Sequence, residues 1–305
     1  MQRTKFIIVL LALALFVTTA LTGCGSQKEQ EGITLKLGSQ GFVEVEILAE
    51  LAKILVEEQT PHKVEHVRNL GSSLAAHEAT ADNQLQMNNN FTGTLFLGLL
   101  EQELTDEWRD PDKVFQYVKD QMMEKYNMFV FPSYGYNNTY CLAVPRKWAE
   151  EHNVTKQSDL APYAKDMTLA ITAPWANIPG QGYNEYTELY GFKFGKTVEM
   201  NSSLMYIAIE KGEVDAINCF STDGQLVAAD LIALEDDLGF NPPYYGILIV
   251  RNDVLEEHPE IKDALMKVDG LISTEEMQQL NKRVAVDQEE PADVARDFLE
   301  KKGII

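Results

Sequence analysis

Apolar and polar residues alternate along Ile33-Thr34-Leu35-Lys36-Leu37-Gly38, the period of a half-buried strand ending at a glycine turn. The spacing then lengthens. Ile47, Leu48, Leu51, Ile54 and Leu55 recur at helical intervals and predict an amphipathic helix from Val43 to about Glu58. Val64-Glu65-His66-Val67 returns to strand character. In Asn69-Leu70-Gly71-Ser72-Ser73 the serines are placed to cap a helix that begins near Leu74. Strand, helix, strand, helix in this order predicts an α/β fold with a mixed, mostly parallel sheet flanked by helices.

The pattern repeats in the middle of the chain. Thr139–Val144, Met167–Ile171 and the run from Ala216 through Phe220 read as strands, as does Gly246–Arg251. Ser158 opens a short helix, and Ser202 and Ser203 are expected to cap the helix Leu204–Lys211. Ser273-Thr274-Glu275-Glu276 is a capping box before Met277–Val284, and Pro291 starts a last helix that stops at Gly303. Asn138–Val144 and Tyr244–Val250 are expected to be strands crossing between two lobes. Lobe 1 would then comprise 33–138 and 239–305, and lobe 2 would comprise 139–238. By contrast, Gln84-Leu85-Gln86-Met87-Asn88-Asn89-Asn90 is a polar run with weak strand character.

The start of the chain follows a different pattern. Arg3 and Lys5 precede an apolar run from Phe6 to about Leu21, which is shorter than the roughly 20 residues of a spanning helix. A charged start, a short apolar stretch and small residues at a cut site read as a secretory signal over 1–23. Leu21-Thr22-Gly23-Cys24 resembles the lipobox of bacterial lipoproteins, which implies a lipid on Cys24 and a location on the outer face of the cytoplasmic membrane. The alternative is a plain signal whose cut site happens to contain a cysteine. The polar segment 24–32 is expected to be a flexible tether.

A chain of 305 residues with 45% hydrophobic residues is large enough to form two lobes. Its 26 basic and 47 acidic residues give a formal charge of −21, so nucleic acid is not an expected partner. With Cys24 assigned to a lipid, Cys141 and Cys219 remain, each inside an apolar strand-like run. Buried inert thiols are the ordinary state of such positions, whereas an extracytoplasmic location also permits a disulfide between neighbouring strands. The sequence leaves both open.

Catalytic and metal-binding patterns are absent from the sequence. His62 and His66 are four residues apart, but Pro61 and the strand-like alternation argue against a helical metal pair. His77, His152 and His258 lack a nucleophile pattern around them. Glu235-Asp236-Asp237 reads as a solvated loop, and there is no Gly-rich phosphate loop. No enzyme activity and no cofactor are expected. What recurs instead is aromatic residues beside small polar ones at loop and strand ends. Phe91-Thr92-Gly93-Thr94, Ser133 through Tyr140, Ala173-Pro174-Trp175, Phe220-Ser221-Thr222 and Asn241 through Tyr245 are the places. Converging ring faces hold a cation that offers no hydrogen-bond donors, each ring contributing on the order of 0.5–2 kcal/mol. For any single ring, core packing is the competing role.

In this order the motifs resemble those of the glycine betaine/carnitine/choline-binding proteins of ABC importers, receptors with the type II periplasmic-binding fold. The resemblance spans 33–302. It rests on Gln40 with Glu44-Val45-Glu46-Ile47, on Asn69 through Ser73, and on Phe91-Thr92-Gly93-Thr94. Ser133-Tyr134-Gly135 with Asn138-Thr139-Tyr140, Gly212 through Ala216, Ser221-Thr222-Asp223-Gly224, and Leu234 through Asp237 with Pro242-Pro243-Tyr244 complete it. The resemblance implies two lobes that close over a ligand in the cleft between them and then dock, as a monomer, on a membrane permease. It implies a cage of Phe91, Tyr140, Phe220 and Tyr244, with Gln40 and Asn138 as polar contacts. Thr92, Thr94 and Ser72 would lie at the cleft edge, and Trp175 would stand near the ligand.

Two departures bear on the ligand. Phe91 and Phe220 stand where the family usually has tyrosine, so π faces are kept and hydroxyls lost. After Trp175 the chain reads Ala176-Asn177-Ile178-Pro179-Gly180-Gln181-Gly182, where related betaine binders tend to carry an arginine. A buried carboxylate without a paired charge is costly. The expected cargo is therefore choline or a bulkier trimethylammonium compound, such as a trimethylated histidine, ahead of glycine betaine. A sensory or enzymatic lipoprotein on the same fold is the reading from a different class.

Overall fold

The computed structural model describes residues 32–178 and 180–305. The expected signal, lipobox, Cys24 lipidation and nearly all of the tether lie outside the described residues.

The first half of the chain builds β1 (Thr34–Gln40), α1 (Val43–Gln59), β2 (Lys63–Leu70), α2 (Ser73–Ala81) and β3 (Met87–Phe91). A π-helical turn (Thr94–Leu99), α3 (Pro111–Tyr126) and β4 (Met128–Val130) follow. The middle contains β5 (Tyr140–Pro145), α4 (Arg146–His152), β6 (Thr168–Ile171), α5 (Ala173–Ala176), α6 (Tyr183–Tyr190) and β7 (Lys196–Glu199). Next come α7 (Ser202–Glu210), β8 (Ala216–Phe220), α8 (Gly224–Ala228) and β9 (Leu231–Ala233). The chain ends with β10 (Gly246–Arg251), α9 (Asn252–Glu257), α10 (Pro259–Leu265), α11 (Thr274–Ala285) and α12 (Pro291–Lys301).

These strands form two five-stranded sheets, in the orders β2-β1-β3-β10-β4 and β7-β6-β8-β5-β9. In the first sheet β1 pairs in parallel with β2 and β3, whereas β10 runs antiparallel to β3 and β4. In the second, β6 is parallel to β7 and β8, and β5 is antiparallel to β8 and β9. Each sheet thus has four strands in one direction and a single reversed strand. The reversed strands are the ones the chain enters after passing from one sheet to the other. This is the two-lobed α/β architecture with mixed, mostly parallel sheets.

Each sheet is covered by helices and has its own apolar core. Leu48, Leu51 and Leu55 of α1 pack with Leu35, Leu37, Leu248 and Leu299 in the first lobe. Leu169, Trp175, Tyr186 and Phe240 pack in the second. The helical spacing of apolar residues in α1 accounts for its buried face, and the Ser273 capping box stops fraying at the start of α11.

Several local expectations change. The polar run before Phe91 is the central strand β3, with Asn88, Asn89 and Asn90 fully buried. Hydrogen bonds offset much of the cost of burial: Asn88 Nδ2 donates to Thr80 Oγ1 (2.8 Å) and Asn90 Nδ2 to the Ser73 carbonyl (3.0 Å). Asn89 Oδ1 accepts from the Tyr134 hydroxyl at 2.8 Å. Strand propensity is overridden by partners that are distant in sequence. The cap of α7 is Asn201 rather than Ser202 or Ser203, its Oδ1 accepting the Leu204 N–H at 3.1 Å. Asp236 is a folded clamp rather than part of a solvated loop. It accepts from Tyr190 Oη (2.6 Å) and from the Phe240 and Asn241 N–H groups (2.8 Å each).

The crossings also differ from expectation. β5 and β10 begin only after the chain has passed between the sheets. The two passages, 131–139 and 234–245, meet in a bridge between Asn137 and Tyr245. Asn138 N–H donates to the Tyr244 carbonyl (3.0 Å), and Tyr244 N–H donates to Asn137 Oδ1 (2.7 Å). A short paired ribbon, without extended strands, joins the lobes.

Candidate ligand-binding cleft

A cavity of about 600 Å³ opens against this ribbon, walled by both lobes. Four rings face it in two stacked pairs. Tyr140, the first residue of β5, is the register partner of Phe220, the last residue of β8, and their centroids are 4.5 Å apart at 26°. In the other lobe Phe42, just before α1, stacks on Phe91 at 6.1 Å and 22°. Phe42 and Phe220 are each 41% exposed, so both present a face to anything that enters. Tyr244 adds a fifth ring from the ribbon. Its close seat requires Gly93, because a Cβ there would lie 2.7 Å from the Tyr244 ring.

Two carboxylates belong to the same wall. Glu44, at the start of α1, is 3% exposed and accepts from Asn138 Nδ2 (2.9 Å) and Asn281 Nδ2 (3.1 Å). Burial pushes its pKa above the usual carboxylate value, opposed by hydrogen bonds from Thr222, Asn138 and Asn281. Asp223 accepts from Tyr206 Oη (2.8 Å) and the Phe220 N–H (3.2 Å), and burial raises its pKa as well. No lysine, arginine or histidine lines this cavity among the described residues. Ring faces and carboxylates are groups that attract a cation.

A second cavity of about 580 Å³ shares Tyr140, Phe220 and Asp223 with the first and is lined further by Thr172, Asn201, Ser202 and Asn218. Glu199, Met200 and Pro174 also line it, and it forms an annex behind the ring pair of lobe 2.

Of the residues singled out in the sequence, Phe91, Thr94, Asn138, Tyr140, Phe220 and Tyr244 meet at the main cavity. The other four have different surroundings. Gln40 is buried at the end of β1 and is not among the lining residues. Ser72 caps α2 by accepting the Ala75 N–H at 3.0 Å, while its neighbour Ser73 reaches the cavity. Thr92 Oγ1 donates to the Pro243 carbonyl and accepts the Tyr245 N–H, both at 3.0 Å, and so pins the ribbon. Trp175 stands behind Tyr140, with centroids 6.5 Å apart, and packs on Tyr183 and Tyr186.

Phe42, Glu44, Asp223 and Asn281 line the cavity but were not singled out as site residues. Glu44 and Asp223 lie within quoted motifs, and Phe42 lies two residues from Gln40, so local signals existed for these three. Asn281 had none, since it reaches Glu44 across 237 residues of chain.

His62 and His66 do not form a pair. His66 bridges Glu50 (2.8 Å) and Ser39 (2.6 Å). His62 Nδ1 accepts the Ile33 N–H at 3.1 Å, which places the ring proton on Nε2, 2.7 Å from Glu260. His258 completes a compact group with these two, but the protonated Nε2 of His62 has no lone pair to give a metal.

The chain resembles known proteins over nearly its whole length. Residues 33–301 match the family described as the substrate binding domain of ABC-type glycine betaine transport systems. The chain is 33% identical to a carnitine transport binding protein of Listeria monocytogenes, over 99% of this chain and 98% of that one. It is 29% identical to an ergothioneine transport permease/ergothioneine binding protein of Helicobacter pylori, covering 85% of this chain and 46% of that longer protein. Among solved structures, one described as a glycine betaine/carnitine/choline ABC transporter superposes with a TM-score of 0.84 at 33% identity, over 88% of this chain and 99% of that one.

Proposed function

The chain belongs to the family of substrate-binding domains of ABC-type glycine betaine transport systems, and from that premise we propose that it is a receptor capturing a quaternary ammonium solute in the cleft. The observation that carries this reading is the combination of two stacked ring pairs and buried Glu44 around a cavity with no basic lining residue. A trimethylammonium head has no N–H to donate, so π faces and a nearby anion are the groups that recognise it. Lobe closure over the solute and delivery to a membrane permease complete the role. A lipid on Cys24 would hold the receptor on the outer face of the membrane, near that permease.

Choline fits the acidic wall best, because a ligand carboxylate would approach Glu44 and Asp223 without a cation to offset it. A second reading rests on the annex behind Tyr140 and Phe220, which offers room for the remainder of a larger betaine such as a trimethylated histidine, with Asn201, Ser202 and Asn218 as neutral partners set against Glu199 and Asp223 on the same wall. A thermal-shift and calorimetric screen of choline, carnitine, glycine betaine and trimethylated histidine tests both readings. Saturating choline at about 100 times its Kd should add about 2.7 kcal/mol of stability. Nanomolar glycine betaine binding with inert choline would overturn the preference, and silence from all four would overturn the receptor reading.

Glu44 makes the capture pH-dependent. Burial raises its pKa in the empty cleft, so at low pH the carboxyl is protonated. A permanent cation favours the ionised form, and binding therefore releases a proton. Choline affinity should rise with pH through the raised value of the empty protein and level off above it. Below that value it falls by up to about tenfold per pH unit. Glu44→Gln should flatten the curve, leaving the contribution of Asp223, whose pKa is also raised. Calorimetry in buffers of different ionisation enthalpy measures the proton directly, and equal heats in all buffers would rule the linkage out.

A further inference from the structure

The chain has three cysteines, and the two besides Cys24 are direct register partners on antiparallel β5 and β8. We propose that Cys141 and Cys219 form a reversible disulfide that staples the cage wall of lobe 2. Their sulfurs are 3.5 Å apart, and both side chains are 5% exposed. Directly opposed residues of an antiparallel pair have Cα atoms about 4.5–5.5 Å apart, inside the range of about 4.4–6.8 Å that a disulfide spans. Small side-chain rotations close the remaining gap without moving the backbone. The neighbouring pair in the register is Tyr140 and Phe220, so the bond would lie one residue behind the stacked rings.

The hydrogen-bonded Cys141 and burial hold the Cys219 thiol well above its ordinary pKa, so the folded, reduced pair reacts slowly. Oxidation is therefore expected chiefly as the strands come together during folding, by exchange with a disulfide-class oxidant. One cysteine thiolate attacks the oxidant's S–S bond, forming a mixed disulfide and expelling one thiol. The second cysteine then attacks the mixed disulfide at the first cysteine's sulfur and expels the other thiol. Two electrons and two protons pass from the cysteine pair to the oxidant, which leaves as two thiols. The resulting loop spans 78 residues and encloses β6, β7 and the helices between them, so oxidation should stabilise the lobe.

The test refolds the protein in a glutathione buffer, oxidised or reducing, and maps alkylated peptides without reduction. The expected result is a Cys141–Cys219 peptide pair in the oxidised sample only. Its Tm should lie about 5 °C or more above that of the reduced sample. Dithiothreitol should abolish both signals under denaturing conditions. Cys141→Ser and Cys219→Ser should each remove them, and the double variant should melt like reduced wild type, which separates loss of the bond from misfolding. Complete alkylation of both cysteines after oxidative refolding would overturn the proposal, as would a bond that forms without raising Tm.

Discussion

Tyr140→Ala should weaken choline binding by at least tenfold while leaving the protein folded. The substitution removes one ring of the lobe 2 pair and exposes Phe220, its stacking partner at 4.5 Å, on the vacated side. A ring face contributes about 0.5–2 kcal/mol to holding a cation, more when water is excluded, and tenfold in affinity is about 1.4 kcal/mol. Tyr140→Phe keeps the face and should stay close to wild type. Tyr244→Ala should match Tyr140→Ala, because Tyr244 supplies the ring on the ribbon between the lobes. Isothermal titration of the three variants decides the point. Wild-type affinity in both alanine variants would mean that these tyrosines serve packing alone.

Gly224→Ala should be the most damaging small substitution at the rim of the cleft. Gly224 opens α8 in lobe 2 and lies against α11, whose Met277 and Leu280 belong to the lobe 1 core. A Cβ at Gly224 would lie 2.6 Å from Lys282 Cα and 2.7 Å from the Asn281 carbonyl carbon. The obstacle is backbone, so one lobe must shift against the other. Overpacking of this kind costs about 1–3 kcal/mol and should lower Tm by several degrees. Asn281 would move as well, and with it the hydrogen bonds to Glu44 and to the Thr222 carbonyl, so choline binding should weaken too. Adding Lys282→Ala should give no rescue, since it trims only the side chain. A wild-type melting curve for Gly224→Ala would show that the lobes tolerate the displacement.

The elements that were legible in the sequence are those governed by local periodicity. The apolar stripe of α1, the Ser273 capping box and the alternation in β1 depend on residues a few positions apart. The same holds for the aromatic residues Phe91, Tyr140 and Phe220 at strand ends, which reach the cavity. What was not legible depends on partners far along the chain. β3 looks too polar for a central strand until Thr80, Ser73 and Tyr134 appear beside its three asparagines. Glu44 falls on the apolar stripe of α1, four residues before Leu48, and its burial there makes sense only when Asn138 and Asn281 close over it. Trp175 is 2% exposed in the lobe 2 core because Tyr140, Tyr183 and Tyr186, up to 35 residues away in the chain, surround it.

The reversed strands impose an order of assembly. From its N-terminus the chain delivers β1, β2 and β3 early, but β3 has no partner on its second side until β10 follows the whole of the second sheet. The second sheet, by contrast, comes from one unbroken stretch, β5 to β9. Long-range pairing is slow because loop closure precedes the contacts that reward it. The inserted lobe is therefore the unit able to mature first, and the lobe that contains β1, β3 and β10 is completed last. Pulse-labelling hydrogen exchange during refolding should show amides of β5 and β8 protected before those of β3 and β10.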